Sequence, residues 1–239
     1  MTADTTGRIR PTARQRARAE ITGEIKDEAR RQLATTGAQL SLRAVARELG
    51  MVSSALYRYF PSRDDLLTAL IIDAYDALAT AAQAADAVAA ARPGASARDR
   101  WRACCHAIRG WALAHPHEYA LIYGSPVPGY HAPQDTIAHA ARVAGVLGAL
   151  LAGAHRAGAS PPRPGLPGQL AAQGELVAAA VAPGVAPDIA ARGLIAWTQL
   201  FGMISFELFG QLVGTADPAD DFFSYAIDQT ATLVGLPEA

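Results

Sequence analysis

Residues 41–67 read SLRAVARELGMVSSALYRYFPSRDDLL and contain the most informative motif of this chain. Two short runs with apolar residues at helical spacing lie on either side of Gly50. A glycine at that point supplies the positive φ that a tight turn between two helices needs. Helices this short cannot bury enough apolar surface to be stable alone, so a third helix must pack on them. The stretch predicts a helix-turn-helix, whose second helix enters the major groove of DNA.

The side chains left outside this motif suit contact with DNA. Ser53, Ser54 and Ala55 are small, so the second helix can approach base edges closely. Tyr57 and Tyr59 carry hydroxyl groups that can reach phosphate. The spacing alone fits a second interpretation equally well, namely a corner between two helices of some other helical protein with a solvated polar face.

The pattern A-x-x-L-G, then A-L-Y-R-Y-F, then an acidic residue before Leu-Leu resembles the DNA-binding domain of the tetracycline-repressor (TetR) family over residues 14–70. The resemblance implies that Arg43, Ser53, Ser54 and Ala55 read bases. It implies that Tyr57, Tyr59 and Arg63 grip phosphates, with Arg63 in place of the commoner lysine. Where the family usually has Ser or Thr at the start of the recognition helix, this chain has Val52. Either Ser53 takes over the helix cap, or the cap is lost.

The composition is that of a globular protein, with 239 residues and 51% hydrophobic content. The first ten residues lack the apolar segment of a secretory signal, and no run of eighteen apolar residues suggests a membrane span. Cys104 and Cys105 are adjacent, which gives no metal-binding spacing and favours packed thiols in a reducing compartment. We therefore expect a cytoplasmic protein without a membrane partner.

The charge is unevenly distributed along the chain. Residues 1–63 hold twelve Lys and Arg against six acidic residues, a net charge of +6, whereas the remaining residues carry −7. A basic segment joined to an acidic body is typical of a nucleic-acid-binding module fused to a domain with another role.

The pattern along the chain predicts an all-α protein with two domains, a DNA-binding domain over residues 1–62 and a helical ligand-binding and dimerisation domain over 63–239. Residues 1–12 are expected to form a loose arm and 12–36 the third helix of the motif. The basic start of that helix, Arg14, Arg16 and Arg18, is either a DNA contact or a solvated tail. Further helices are expected over about 63–91, 96–114, 116–123, 132–156 and 169–182, with a loop over 158–168.

The last two helices are predicted to form the interface of a homodimer. The next-to-last helix has two apolar stripes about 100° apart, so it needs two packing partners. The final helix is expected to start at Asp217-Pro218, with the aspartate as its cap. The predicted interface residues are Phe206, Phe209, Val213, Phe223, Ile227 and Thr230. The alternative is a helix buried on both sides in a monomer.

A weaker resemblance covers residues 115–130 and 197–202. It points to the TetR subset whose C-terminal domain is named for a Trp-His-Gly motif. Trp197 and Gly202 match that motif, and Phe201 stands in place of the histidine, so no role of that histidine carries over. The resemblance implies an apolar ligand pocket, for which we predict the lining Trp101, Cys105, Ile108, Tyr119, Tyr123, Ile137 and Trp197. Each of these residues could equally be ordinary core.

No pattern of catalytic or metal-binding residues competes with this interpretation, since the six histidines lack metal-ligand spacing and no G-x-S-x-G motif occurs. We expect no enzyme activity and no cofactor. The sequence predicts a homodimeric repressor that binds a palindromic operator in double-stranded DNA and is released by a small apolar ligand. The alternative is a DNA-binding dimer whose second domain only dimerises.

Overall fold

The structure, a computed structural model, describes residues 12–36, 40–158 and 165–238. These ranges contain ten α-helices and no strand, which confirms the predicted all-α class. The helices are α1 (Ala13–Thr36), α2 (Leu42–Glu48), α3 (Ser53–Leu56), α4 (Arg63–Ala90), α5 (Ala97–Ala114), α6 (Pro116–Tyr123), α7 (Asp135–Arg156), α8 (Leu170–Val181), α9 (Pro187–Leu208) and α10 (Asp220–Leu233). The predicted arm before Thr12, and residues 159–164 of the predicted loop, lie outside the described residues.

The chain divides into two compact units. The first contains the residues up to Leu70 together with Pro126–His131, and the second contains Ile71–Ser125 and the residues from Ala132 onward. This division falls inside α4 rather than at the predicted boundary between residues 62 and 63. The segment 126–131 joins the first unit through the Tyr130 hydroxyl, which lies 2.9 Å from Thr68 Oγ1.

The helix-turn-helix forms as the sequence predicts. Gly50 has a φ of 64° and directly follows the C-cap of α2. The Met51 N–H bonds to the Ala46 carbonyl at 2.8 Å, and the Gly50 N–H bonds to the Arg47 carbonyl at 3.1 Å. This pair of bonds is a Schellman motif, which satisfies the last carbonyls of α2 and reverses the chain into α3.

The core of the first unit joins the three helices of the motif to the start of α4. Its buried side chains come from every one of these helices, and they are Ile25, Ala29, Leu33, Leu42, Val45, Leu56, Phe60, Leu66, Leu67 and Leu70. The Ser62 hydroxyl accepts a hydrogen bond from the Asp65 N–H at 3.1 Å, so Ser62 caps the start of α4. The tertiary core, rather than helix length, therefore holds the four-residue helix α3 in place.

The second unit packs six further helices with the rest of α4, and its main apolar core draws on all of these helices except α8. Trp101, Ile108, Leu147, Leu200 and Phe223 are among its buried members. A Cβ added to Gly148 of α7 would lie 1.9 Å from the Val181 carbonyl oxygen, and one added to Gly174 of α8 would lie 2.6 Å from that of Pro187. These two glycines thus allow α8 to approach its neighbours closely.

One expectation about this unit needs correction. The final helix begins at Asp220, with Ala219 at its N-cap and no side-chain capping bond, so the predicted Asp217 cap is wrong.

Helices α7 and α9 are long and apolar enough to cross a membrane by length and composition alone. Both supply residues to the core of the second unit, which accounts for their apolar character.

Candidate functional site

The recognition helix α3 presents small polar side chains on its outer face. Leu56 is fully buried and anchors the helix, whereas Ser53 and Ser54 are exposed and Ala55 is half-buried. Val52 is the N-cap residue and makes no side-chain capping bond. Of the two alternatives for this position, the structure shows that the side-chain cap is lost.

The predicted phosphate-binding tyrosines differ in their surroundings. Tyr57 is exposed, whereas Tyr59 is half-buried under Arg18, whose guanidinium carbon lies 5.1 Å from the centre of the Tyr59 ring. Arg18 also donates a hydrogen bond to the Arg58 carbonyl at 3.3 Å. The basic start of α1 is therefore tied to the residues that follow the recognition helix.

The two arginines that were predicted to contact DNA differ in their exposure and in their hydrogen bonds. Arg43 is exposed on α2. Arg63 is half-buried, and its Nε donates to the Leu40 carbonyl at 3.2 Å while Nη1 lies 3.5 Å from Asp64. Arg63 consequently links the start of α4 to Leu40, two residues before α2, so its position depends on the fold of the motif.

The second unit contains an apolar cavity of about 230 Å³ between α5, α7, α8 and α9. Its lining consists of aromatic, aliphatic and glycine residues without any ionisable group. These residues are Trp101, Ala144, Leu147, Gly148, Leu151, Val177, Ala180, Val181, Ala182, Val185, Ala190, Gly193, Leu194 and Trp197.

The predicted pocket shares only Trp101 and Trp197 with this cavity. Ile137 is 65% exposed on the surface, away from the core. Cys105 and Ile108 are fully buried members of the core rather than cavity walls. The sequence reasoning also placed the pocket next to α6 and missed α8, since an alanine-rich helix gives no sign of the space that its small side chains leave open.

Tyr119 and Tyr123 belong to an aromatic cluster in the core. The Tyr119 hydroxyl donates to the Phe201 carbonyl at 3.0 Å and lies 2.8 Å from Ser205 Oγ, so its hydrogen-bonding capacity is used within the protein. Burial raises the pKa of both tyrosines. The Tyr119 hydroxyl is therefore not free to bind a ligand.

The two cysteines are packed thiols. Burial raises the pKa of Cys104 to about 12 and that of Cys105 well above its ordinary value. A thiol must lose its proton to act as a nucleophile or a metal ligand. Within the described ranges, no three His, Cys, Asp or Glu side chains come together in a way that could hold a metal ion.

Half of the predicted dimer interface is wrong. Phe223, Ile227 and Thr230 are each 1% exposed, so they face the core of their own chain. The adjacent face of α10 is exposed instead, with Phe222 at 41% and Tyr225 at 66%. The sequence could have revealed this second face, since Phe222, Tyr225 and Gln229 also recur at helical spacing.

The other half of the prediction matches an exposed apolar surface. Phe206, Phe209 and Val213 are 55%, 46% and 70% exposed. Phe206, together with Phe222 and Tyr225, lines an open groove of about 470 Å³ between α9 and α10. We call these residues, with Phe209 and Val213, the α9/α10 face.

A helix-turn-helix with an exposed recognition helix, joined to an all-helical body with a cavity, defines a DNA-binding transcriptional regulator. Family comparisons agree. Residues 25–70 match the bacterial regulatory proteins of the tetR family, and residues 101–230 match the tetracyclin repressor-like C-terminal domain. An HTH-type transcriptional regulator of Mycobacterium tuberculosis is 42% identical over 205 residues, covering 83% of this chain and 85% of that protein. The chain belongs to the TetR family of transcriptional regulators.

Solved structures are similar over nearly the whole chain. The regulatory protein SCO4313 has 36% sequence identity and a TM-score of 0.74, covering 92% of this chain and all of that one. A TetR family regulator from Marinobacter aquaeolei has 17% identity and a TM-score of 0.61 over 94% of this chain and all of that one, which shows the shared fold. Regulators of this family are soluble proteins that bind operator DNA and act as dimers.

Proposed function

We propose that this protein is a dimeric repressor that binds a palindromic operator and is released from it by a small apolar ligand. The apolar cavity of the second unit carries the ligand part of this proposal. An ionised ligand group placed there would lose its hydration without gaining a charged partner, at a cost of several kcal/mol. The cavity therefore favours an uncharged ligand, whose binding would be driven by the removal of apolar surface from water.

The α9/α10 face supports the dimer. Exposed aromatic side chains that lie together on one surface are characteristic of protein interfaces, because leaving them in water is unfavourable. Two copies of α9 and α10 related by a twofold axis would bury these side chains as a four-helix bundle. A twofold dimer presents two symmetric recognition helices, so its operator is an inverted repeat with half-site centres separated by about 34–36 Å or a multiple of it.

The DNA contacts that we propose are exposed or half-buried side chains of the first unit, at the positions that the family resemblance implies. Arg43, Ser53, Ser54 and Ala55 read base edges, and Tyr57, Tyr59 and Arg63 bind phosphates. Arg43→Ala should relax the base preference at one operator position, because an arginine that reads a guanine contributes about 1–3 kcal/mol of discrimination. If Arg43→Ala instead weakened binding to all sequences equally, Arg43 would be a phosphate contact.

The ligand would act through α4, which begins in the first unit and continues into the second. We propose that an occupied cavity favours one position of α4, and so changes the separation of the two recognition helices in the dimer. The shift in operator affinity cannot exceed the difference in ligand affinity between the two positions. A tightly bound ligand with equal affinity for both positions would leave DNA binding unchanged.

The test combines ligand binding with operator binding. Uncharged apolar compounds are screened by thermal shift, since a ligand that binds only the native state raises its apparent stability. Operator affinity is then measured with and without each compound that binds. Ala144→Phe fills the cavity and should abolish both effects. Ala149→Phe, on an exposed position of the same helix, is the matched control and should leave both intact.

Two outcomes would contradict this proposal. If compounds that bind the second unit leave operator affinity unchanged, the second unit only dimerises and the release mechanism fails. If Ala149→Phe abolishes ligand binding as effectively as Ala144→Phe, the ligand does not occupy this cavity.

A further inference from the structure

The exposed valine at the start of the recognition helix has no structural role in the described protein. Val52 is 70% exposed, and within the described residues of the first unit only Tyr57 is another exposed large hydrophobic side chain. The core of this unit is complete without Val52, since Leu56 and Phe60 anchor the recognition segment. A branched aliphatic side chain held in water is unfavourable, so folding does not explain its presence here.

Valine also costs the recognition helix a cap. Val52 occupies the N-cap position with a φ of −70° and a ψ of 137°, the extended conformation from which Ser or Thr would accept an N–H of the first turn. Its side chain makes no such bond. A serine would fit the same backbone and would stabilise the helix. Valine is therefore the less stabilising residue at this position, and a role in binding would explain its presence.

The location of Val52 indicates which binding role its side chain could have. In a helix-turn-helix, the residues at the start of the second helix contact base edges in the major groove. Only thymine presents a methyl group there, and apolar side chains are the groups that contact it. Ser53 and Ser54, which follow Val52, are exposed and small, so they do not hold the valine away from the bases.

From these observations we propose that Val52 is a specificity-determining residue that selects a thymine in each operator half-site by contact with its 5-methyl group. At this position the chain has a side chain that contacts a base instead of one that caps the helix. The inference rests only on DNA binding through α3, not on a ligand response.

The test removes the methyl group from the DNA and the valine methyls from the protein. Bound sequences are first selected from random DNA with the wild-type protein. Each thymine of the selected site is then replaced by deoxyuridine, which keeps every hydrogen-bonding group and lacks only the methyl. Loss of one buried methyl corresponds to about a fourfold weaker affinity, or about fifteenfold when both half-sites are changed.

Three protein variants assign the effect to Val52. For Val52→Ser, thymine and deoxyuridine sites should bind equally, and selection from random DNA should show no thymine preference at that position. Val52→Ala keeps one methyl and should show an intermediate ratio. Val88→Ser replaces another exposed valine, on α4, and should retain the full thymine preference. The melting temperature of Val52→Ser should equal or exceed that of wild type, since serine can cap α3.

The proposal is overturned if no selected half-site contains a required thymine. It is also overturned if deoxyuridine at every thymine leaves wild-type affinity unchanged, or if Val52→Ser keeps the same sensitivity to deoxyuridine. These outcomes would not affect the ligand-release proposal. Its test uses variants of the second unit and needs only an operator that the protein binds, whether or not that operator contains a required thymine.

Discussion

Substitution of Arg109, a buried arginine of α5, should strongly destabilise the second unit. Arg109 is 7% exposed and joins three helices. Its Nε and Nη2 donate to the two carboxylate oxygens of Glu207 at 2.7 and 2.6 Å, and Nη1 donates to Asp220 at 2.9 Å. Its guanidinium carbon also lies 5.0 Å from the centre of the Phe223 ring. These hydrogen bonds raise the pKa of Arg109, so it remains charged throughout the accessible pH range.

We expect Arg109→Met to lower the free energy of unfolding by about 3 kcal/mol. Removing one partner of a buried ion pair typically costs 3–5 kcal/mol, because the other charge stays desolvated and unpaired. The lower end applies because the Glu207 side chain is 17% exposed and is partly hydrated, while the carboxylate of Asp220 is largely exposed. Methionine keeps the apolar stem of the side chain. For a protein of this length, the loss corresponds to a fall of about 6–12 °C in melting temperature.

Tryptophan fluorescence during urea unfolding measures this change in the relevant unit, since Trp101, Trp111 and Trp197 all belong to the second unit. The double variant Arg109→Met with Glu207→Leu should cost much less than the two single changes added together, because no buried charge is left without a partner.

Arg102→Met is the matched control on the same helix. Arg102 pairs with Asp228 at 2.5 Å, but their side chains are 40% and 35% exposed, so we expect a loss below about 1 kcal/mol that salt reduces further. The reasoning is refuted if Arg109→Met and Arg102→Met cost the same, or if the double variant shows the full sum of the single losses.

Three further predictions concern charge, assembly and pH. Operator affinity should fall steeply with salt, with a log–log slope of about −0.9 for each phosphate neutralised, and a flat response would contradict the proposed backbone contacts. Tyr225→Asp should shift the protein from dimer to monomer in light scattering, whereas Leu176→Asp, on the exposed surface of α8, should not. Burial and the nearby Arg109 lower the pKa of His106. His106 therefore binds a proton more readily in the unfolded chain than in the folded chain. The free energy of unfolding should fall as the pH drops below about 6.5, and His106→Gln should reduce this pH dependence.

The helix-turn-helix was predictable because its signals are local. Gly50 terminates α2, and the apolar residues on either side of it repeat at helical spacing. Both features depend on neighbours within a few residues, and the structure shows the turn and the buried side chains that they predict. The side-chain contacts of Arg63 and Tyr59 were not predictable, since their partners Leu40 and Arg18 are set by tertiary packing.

The burial of Phe223, Ile227 and Thr230 was mispredicted for a reason that lies in α10 itself. Phe222 and Phe223 are adjacent, so the helix has an apolar residue on each of two faces about 100° apart. The sequence gives no reason to assign one of these faces to the chain's own core. The structure makes that assignment through the surroundings of Phe223, which packs beside His106 with ring centres 5.3 Å apart and beneath Arg109. Both partners lie on α5, far away in the sequence.

The sequence did not predict the position of the cavity, because no residue type marks an empty space inside a protein. The sequence points to large aromatic residues, and most of these fill the core instead of lining a cavity. What opens the space is the small side chains around it, among them Ala144, Ala190 and Gly193. Small residues also mark close helix contacts such as that of Gly148 with Val181, so their presence predicts either a void or the tightest packing, and only the backbone positions distinguish the two.

The two tryptophans of the cavity wall connect it to different parts of the second unit. Trp101 donates its indole N–H to Thr230 of α10 at 3.1 Å, and the outer side of α10 contributes to the α9/α10 face. Trp197 packs on Phe201 with ring centres 4.4 Å apart, and Phe201 packs in turn on Tyr123 at 4.2 Å. Tyr123 meets Tyr75 of α4 edge-on at 6.1 Å. Since a densely packed core transmits displacement instead of absorbing it, a ligand that moved either indole would change the packing of a helix outside the cavity. Under the proposed release mechanism, the direction of regulation would depend on which of the two positions of α4 the ligand binds more tightly.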